Sequence, residues 1–231
     1  MDDPNVAMLT SVARVLAPLL DRLVFLGGST TGLMITDPAV ARIRVTGDVD
    51  AIAEVASYAQ YDALSAQLRA LGLREDTTEG APLCRWRHGD LIVDVMPIDA
   101  AVLGFTNRWY PAALASARLV TIAELQIRVV TAVCFLATKL EAFAGRGNDD
   151  FAGSHDLEDV VTVIDGRREI VTEALAANED VRRYIGERFT TLLSNATFVD
   201  ALPGLLMPDA ASQARLPMVL DRLRRISGTS R

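Results

Sequence analysis

Apolar residues change their spacing partway along this chain, and the change restricts the fold to one that joins a sheet to a layer of helices. In the first half, short apolar runs are cut by glycine and polar turns. Leu23-Val-Phe-Leu stops at Gly27-Gly28-Ser29, and Ile43 to Ile52 is interrupted at Gly47. Leu83 to Arg87 and Leu91 to Met96 flank His88-Gly89-Asp90, the pattern of a hairpin. Helical spacing marks Asn5 to Leu20 and Tyr58 to Leu71, the latter closed by Gly72, and a helix start is expected after Ser29. After a short strand at Gln126 to Val130, helical spacing takes over: Thr131 to Ala144, Ser154 to Ile164, Arg168 to Ala176, Val181 to Leu193 and Leu216 to Ile226. The predicted class is α+β, a small mixed β-sheet with packed helices followed by a helical C-terminal part. The boundary is placed between residues 1–120 and residues 121–231.

Half of the 231 residues are hydrophobic (50%) and 23% are charged, enough apolar side chain for a substantial core. The apolar stretch Val129 to Ala137 is stopped by Lys139, far short of the roughly 20 residues a membrane span needs. No membrane association is expected. The opening Met-Asp-Asp-Pro lacks the basic and apolar regions of a secretory signal, which predicts a cytoplasmic location. Cys84 and Cys134 have no metal-type or redox-type partner at short spacing and read as reduced core residues. A net charge of -7 argues against a broad nucleic-acid-gripping surface. The most basic stretch, Arg215 to Arg231, reads as a solvated helix face.

Asp48 and Asp50 are separated by Val49, so on a strand both carboxylates project from one face while the valine enters the core. Asp94 interrupts the apolar run Leu91-Ile-Val-Asp-Val-Met, where an ionised carboxylate is costly unless paired or bound to metal. Three carboxylates on neighbouring strands suit Mg2+ or Mn2+, which take oxygen ligands and leave positions for substrate phosphates. The Gly27-Gly28-Ser29 turn complements them, because glycine lets backbone approach phosphate and Ser29 adds a hydroxyl. Either motif alone is common. Their order along one chain is far more specific.

In that order, the residues resemble the nucleotidyltransferase superfamily that includes DNA polymerase beta: strand, Gly-Ser turn, helix, Asp-x-Asp on the next strand, then a third acid. A narrower resemblance is to the AbiEii-like toxin proteins, carried by Phe135-Leu-Ala-Thr-Lys139-Leu-Glu-Ala-Phe143 and then Ser154-His-Asp-Leu-Glu-Asp-Val160. The AbiEii-like pattern has a lysine where this chain has His155, and the interval from Ser29 to Asp48 is longer than is common in the superfamily.

The resemblance implies transfer of a nucleotide from an NTP to an acceptor, RNA or protein, by a toxin-like enzyme with a separately encoded antitoxin. It gives Asp48, Asp50 and Asp94 the metal and Lys139 the triphosphate. Lys139 is the single lysine among 23 Lys and Arg residues, as if a compact ammonium were required there. Arg146 is a candidate phosphate contact from a loop, with a solvated loop arginine as the alternative. Asp156 and Asp159 share one helix face behind the N-cap Ser154, fitting either support of the active centre or simple interaction with the helix dipole. Trp109 and Tyr110 read as core aromatics, and neither His88 nor His155 falls in a catalytic pattern. Two further functions stay open: transfer to a small molecule of the aminoglycoside type, and a catalytically inactive nucleotide- or protein-binding module.

Overall fold

The computed structural model describes residues 3–40 and 43–228. It groups into two compact units, Met1–Gly32 with Arg44–Thr131, and Leu33–Ile43 with Ala132–Arg231, considered over their described residues.

The first unit is built on a mixed sheet whose seven described strands are ordered β3-β4-β5-β2-β1-β7-β6. They are β1 (Leu23–Leu26), β2 (Val49–Ala53), β3 (Arg74–Glu75), β4 (Arg85–His88), β5 (Leu91–Pro97), β6 (Arg118–Ile122) and β7 (Leu125–Val129). Strand β1 is buried at all four residues, as a strand inside a sheet covered on both faces must be. It pairs antiparallel with β2 and parallel with β7, while β2 and β5 run parallel. Strands β4 and β5 form the hairpin read from His88-Gly89-Asp90, with His88 opposite Leu91 and Gly89 at φ 58.

Helix α1 (Pro4–Val15) starts at an Asp3 cap with proline in its first turn, and it buries Leu9, Val12 and Ala13. Helix α2 (Tyr58–Ala70) is capped by Ser57 and buries Tyr61, Leu64 and Leu68. The short α3 (Ala100–Leu103) and α4 (Tyr110–Ala115) precede β6. Trp109 and Tyr110 are buried, and the Tyr110 hydroxyl lies 3.0 Å from the Met96 sulfur.

Two expectations change here. After Gly27 the chain forms a 3-10 helix, Gly28–Met34, and no α-helix. Gly-Ser-Thr-Thr-Gly supplies three hydroxyl residues and two glycines, weak helix formers whose side chains compete for backbone partners. Second, the strand expected from Ile43 starts only at Val49, because the backbone near Arg44 and Thr46 bonds to a side chain of α1 and not to a neighbouring strand.

The second unit consists of α5 (Ala132–Arg146), α6 (His155–Gly166), α7 (Ile170–Ala176), α8 (Glu179–Ser194), α9 (Ala196–Ala201), α10 (Ala210–Gln213) and α11 (Leu216–Ser227), together with the segment at 33–43. Its core includes Phe135, Leu136 and Leu140 of α5, Val160 and Ile164 of α6, and Ile185 and Phe189 of α8. Phe151 links Phe143 to Phe198 by ring contacts at 5.6 and 5.9 Å. The 33–43 segment is pinned by Thr36 and Asp37 amides donating to the Gly166 carbonyl at 3.0 and 2.9 Å. A Cβ at Gly166 would stand 2.6 Å from Ile35 Cδ1, so a larger residue there would have to push the Ile35 side chain aside.

The arginines at the start of the basic stretch are not solvated. Arg215 donates to Asp165 at 2.6 Å and Asp37 at 2.9 Å, and Arg222 donates to the carbonyls of Ile164 and Asp165 at 2.6 Å each. The last turn of α6 exposes acceptor carbonyls at the negative end of the helix dipole, and these guanidinium groups satisfy them. Among the described residues no helix is long and apolar enough to cross a membrane.

Candidate active site

The acids of the first unit meet because three strands are in register. Leu26 lies opposite Asp50 across β1 and β2, and Asp50 lies beside Asp94 across the parallel pair β2 and β5. Val49 and Ala51 are fully buried on one face of the strand, and on the other face Asp50 stays half-buried beside the fully buried Ile52. Asp94 is only 7% exposed.

Gly27 follows directly on β1 with φ 75, and a Cβ built there would lie 1.9 Å from Asp50 Oδ2. The glycine turn and the Asp-x-Asp strand, 23 positions apart in sequence, are thus one constellation. Beside it, Ser29 is fully buried and its hydroxyl has no hydrogen-bond partner, as is true of Thr31, whereas Thr30 donates back to the Gly27 carbonyl at 2.9 Å. A buried hydroxyl left unpaired costs stability, which makes these two hydroxyls unusual in the core of the fold.

Four residues at this centre escaped the sequence reading. Arg85 of β4 stands opposite Asp94 in the hairpin register. Its Nε and Nη2 grip both carboxylate oxygens of Asp94 at 2.8 Å each, and Nη2 also donates to Asp48 Oδ2 at 2.9 Å. The hydrogen bonds to Asp94, ahead of the nearby negative charge, push the Arg85 pKa above its ordinary value, so the guanidinium is a permanent cation. The signal was present: a two-residue turn between His88 and Leu91 fixes Arg85 across from Asp94.

Asn5, 1% exposed on α1, donates to the Arg44 carbonyl at 2.8 Å and accepts from the Thr46 amide at 3.0 Å. Thr46 in turn donates to Asp48 Oδ1 at 3.0 Å. Arg44 brings its guanidinium over the turn, where a Cβ at Gly28 would lie 2.9 Å from Nη2. Nothing in local sequence links Asn5 to a segment about 40 residues away.

Asp48, Asp50 and Asp94 offer the carboxylate oxygens a hard dication takes, and their donor chemistry fits Mg2+ or Mn2+. In this arrangement Arg85 lies across two of the three and offsets part of their charge; among the described residues no group of three or more His, Cys, Asp or Glu is arranged to hold a metal ion.

The other candidate residues meet in the second unit. Lys139 of α5 places its ammonium 2.7 Å from Asp159 Oδ2 and 3.1 Å from Asp156 Oδ1 on α6. Arg146, at the end of α5, adds donations to Asp156 at 3.0 to 3.3 Å. Both aspartates are buried, Asp159 to 2% exposure, and both face the same helix, as the three-residue spacing requires. The His155 ring instead points to solvent and meets Glu158 at 3.3 Å. Cys84 and Cys134 are buried and form no disulfide, and burial pushes the Cys84 thiol up to about 12.

No family model matches the chain, and no curated protein matches it. Among solved structures, an antigenic nucleotidyltransferase-like protein from Paracoccidioides brasiliensis is similar, with a TM-score of 0.50 at 17% identity, covering 88% of this chain and 94% of that one. The fold is nucleotidyltransferase-like. Two other solved structures are similar at a TM-score of 0.49: the antibiotic-resistance factor ANT(2'')-Ia, at 17% identity over 84% of this chain and 97% of that one, and JHP933 from Helicobacter pylori, at 11% identity over 99% and 94%.

Proposed function

We propose that this chain is a metal-dependent nucleotidyltransferase that moves an NMP from an NTP to an acceptor. The observation that carries the proposal is the close approach of Gly27 to the Asp50 carboxylate, which joins a phosphate-type turn to an acid cluster.

Asp48, Asp50 and Asp94 are the residues that would hold Mg2+ or Mn2+. Bound there, the metal would supply charge neutralisation for the triphosphate and a lowered pKa for the acceptor hydroxyl. Ser29 donates its unpartnered hydroxyl to a phosphate oxygen, and the absence of a side chain at Gly27 and Gly28 lets phosphate approach the backbone. Asn5 and Thr46 fix the segment that aims Asp48. Lys139 is assigned to the triphosphate by the resemblance to AbiEii-like proteins, with Asp156 and Asp159 orienting its ammonium and Arg146 as a further phosphate contact.

On the same resemblance, the acceptor is RNA or protein and the enzyme is toxin-like, restrained by a separately encoded antitoxin. The net charge of -7 favours one alternative, a cationic small-molecule acceptor of the aminoglycoside type.

Titration calorimetry with each of the four NTPs, with and without Mg2+, tests the proposal on wild type and Asp48→Ala. Metal-dependent binding that the substitution removes supports it and directs a labelled-NTP search for the acceptor. Wild type that binds no NTP in Mg2+ or Mn2+ overturns it.

A further inference from the structure

Four carboxylate oxygens belong to Asp48 and Asp94, and all four have protein partners. Arg85 takes both oxygens of Asp94 and Oδ2 of Asp48, and Thr46 takes Oδ1 of Asp48. A dication therefore meets a site whose negative charge is already partly compensated. The pairing is built into the hairpin: Trp86 fills the core from the opposite face of β4, so Arg85 is turned to the acid side and set opposite Asp94 by register. Its side chain is 23% exposed, so the long, flexible chain has a route to solvent.

Three neighbouring carboxylates without a cation repel one another and raise the cost of folding the strands together. A guanidinium across two of them removes that repulsion while no metal is bound. The same contacts take one lone-pair direction on each of those four oxygens and put a fixed positive charge beside the place a dication would enter. The guanidinium and a dication repel one another there.

We infer that Arg85 is an internal counter-cation that competes with the metal for Asp48 and Asp94, so that metal loading requires the Arg85 fork to open. The inference rests on the metal-dependent function proposed above and adds a positioning residue that sets how tightly the metal is held. It predicts an unusual sign, since removing a residue that contacts the site strengthens metal binding.

Mn2+ binding to the full chain without nucleotide, followed by electron paramagnetic resonance of free Mn2+, reads this directly. Arg85→Gln is expected to bind Mn2+ about tenfold more tightly than wild type, the scale of a charge-assisted hydrogen-bond pair removed. Arg85→Lys, which keeps the charge and loses the fork, falls between them. Arg87→Gln is the control for net charge: Arg87 lies on the same strand and pairs with Asp76 at 2.7 Å, away from the acids. It is expected to stay within about twofold of wild type, since an exposed charge is screened.

If wild type binds Mn2+ and Arg85→Gln binds no more tightly than Arg87→Gln, the inference is overturned while the metal site stands. If neither wild type nor any variant binds Mn2+, both fall together. Should Arg85→Gln not fold, wild type carries the test alone. The Arg85 Nε–H, protected from solvent exchange by Asp94, is then expected to lose protection on addition of Mg2+, and retained protection at saturating Mg2+ overturns the inference.

Discussion

Gly27 and Asp50 are in such close approach that only a hydrogen fits between the Gly27 backbone and the Asp50 carboxylate; a methyl carbon would lie 1.9 Å from Oδ2. The turn also holds φ at 75, a conformation that costs an L residue about 1–2 kcal/mol. Gly27→Ala is therefore expected to displace Asp50 and to lose Mg2+-dependent NTP binding by well over about tenfold, with a lowered thermal midpoint. Calorimetry and a thermal melt check this together. Unchanged NTP binding in the folded variant would separate the glycine turn from the nucleotide site.

Lys139 is held between two buried carboxylates, so its removal leaves negative charge in a protected place. Lys139→Met is expected to destabilise the fold by about 3 kcal/mol, the scale for breaking a buried pair from one side. Adding Asp159→Asn is expected to return a large part of that loss, because the stranded charge goes with it. Chemical denaturation of the two single variants and the double variant measures the coupling. Simple additivity would mean that the ammonium and Asp159 do not act as a pair.

Asp37 anchors the 33–43 segment, and a hydrogen bond from Arg215, helped by the Ala39 amide and Arg168, brings its pKa down to about 2 from an ordinary 3.8. The folded value lies below the unfolded one. The ionised carboxylate therefore stabilises the fold fully above about pH 4, and this contribution is lost as pH falls through about 2. Wild type should lose stability more steeply between about pH 4 and pH 2 than Asp37→Asn, which is the less stable of the two at neutral pH. Parallel melting curves over that interval would show that Asp37 does not carry acid sensitivity.

Elements with a strong local period were readable without coordinates. The expected helices from Thr131, Ser154, Val181 and Leu216 correspond to α5, α6, α8 and α11 within a few residues, because each buries one apolar face. The hairpin at Gly89 was readable for the same reason, and its turn length already implied the pairing of Arg85 with Asp94. Strand β6 was missed: its residues Leu119, Val120 and Ile122 are apolar, but only Ile122 is buried and Leu119 is exposed, so this edge strand does not follow a core-facing alternation and is defined by its pairing with β7.

Residue order alone determined that Asp94 interrupts an apolar strand and that Asp156 and Asp159 project together, since these follow from the two and 3.6-residue periods of backbone geometry, whereas Asp48 lies just ahead of the strand that carries Asp50. Tertiary structure decided which side chains answer those charges. The parallel pairing of β2 with β5 set Asp50 beside Asp94, Asn5 of α1 fixed the backbone ahead of Asp48, and residues 33–43 joined the helical unit and not the sheet. Those outcomes depend on contacts between segments far apart in the chain. A local pattern records which residues want burial or a partner, and only the packed fold supplies the particular partner.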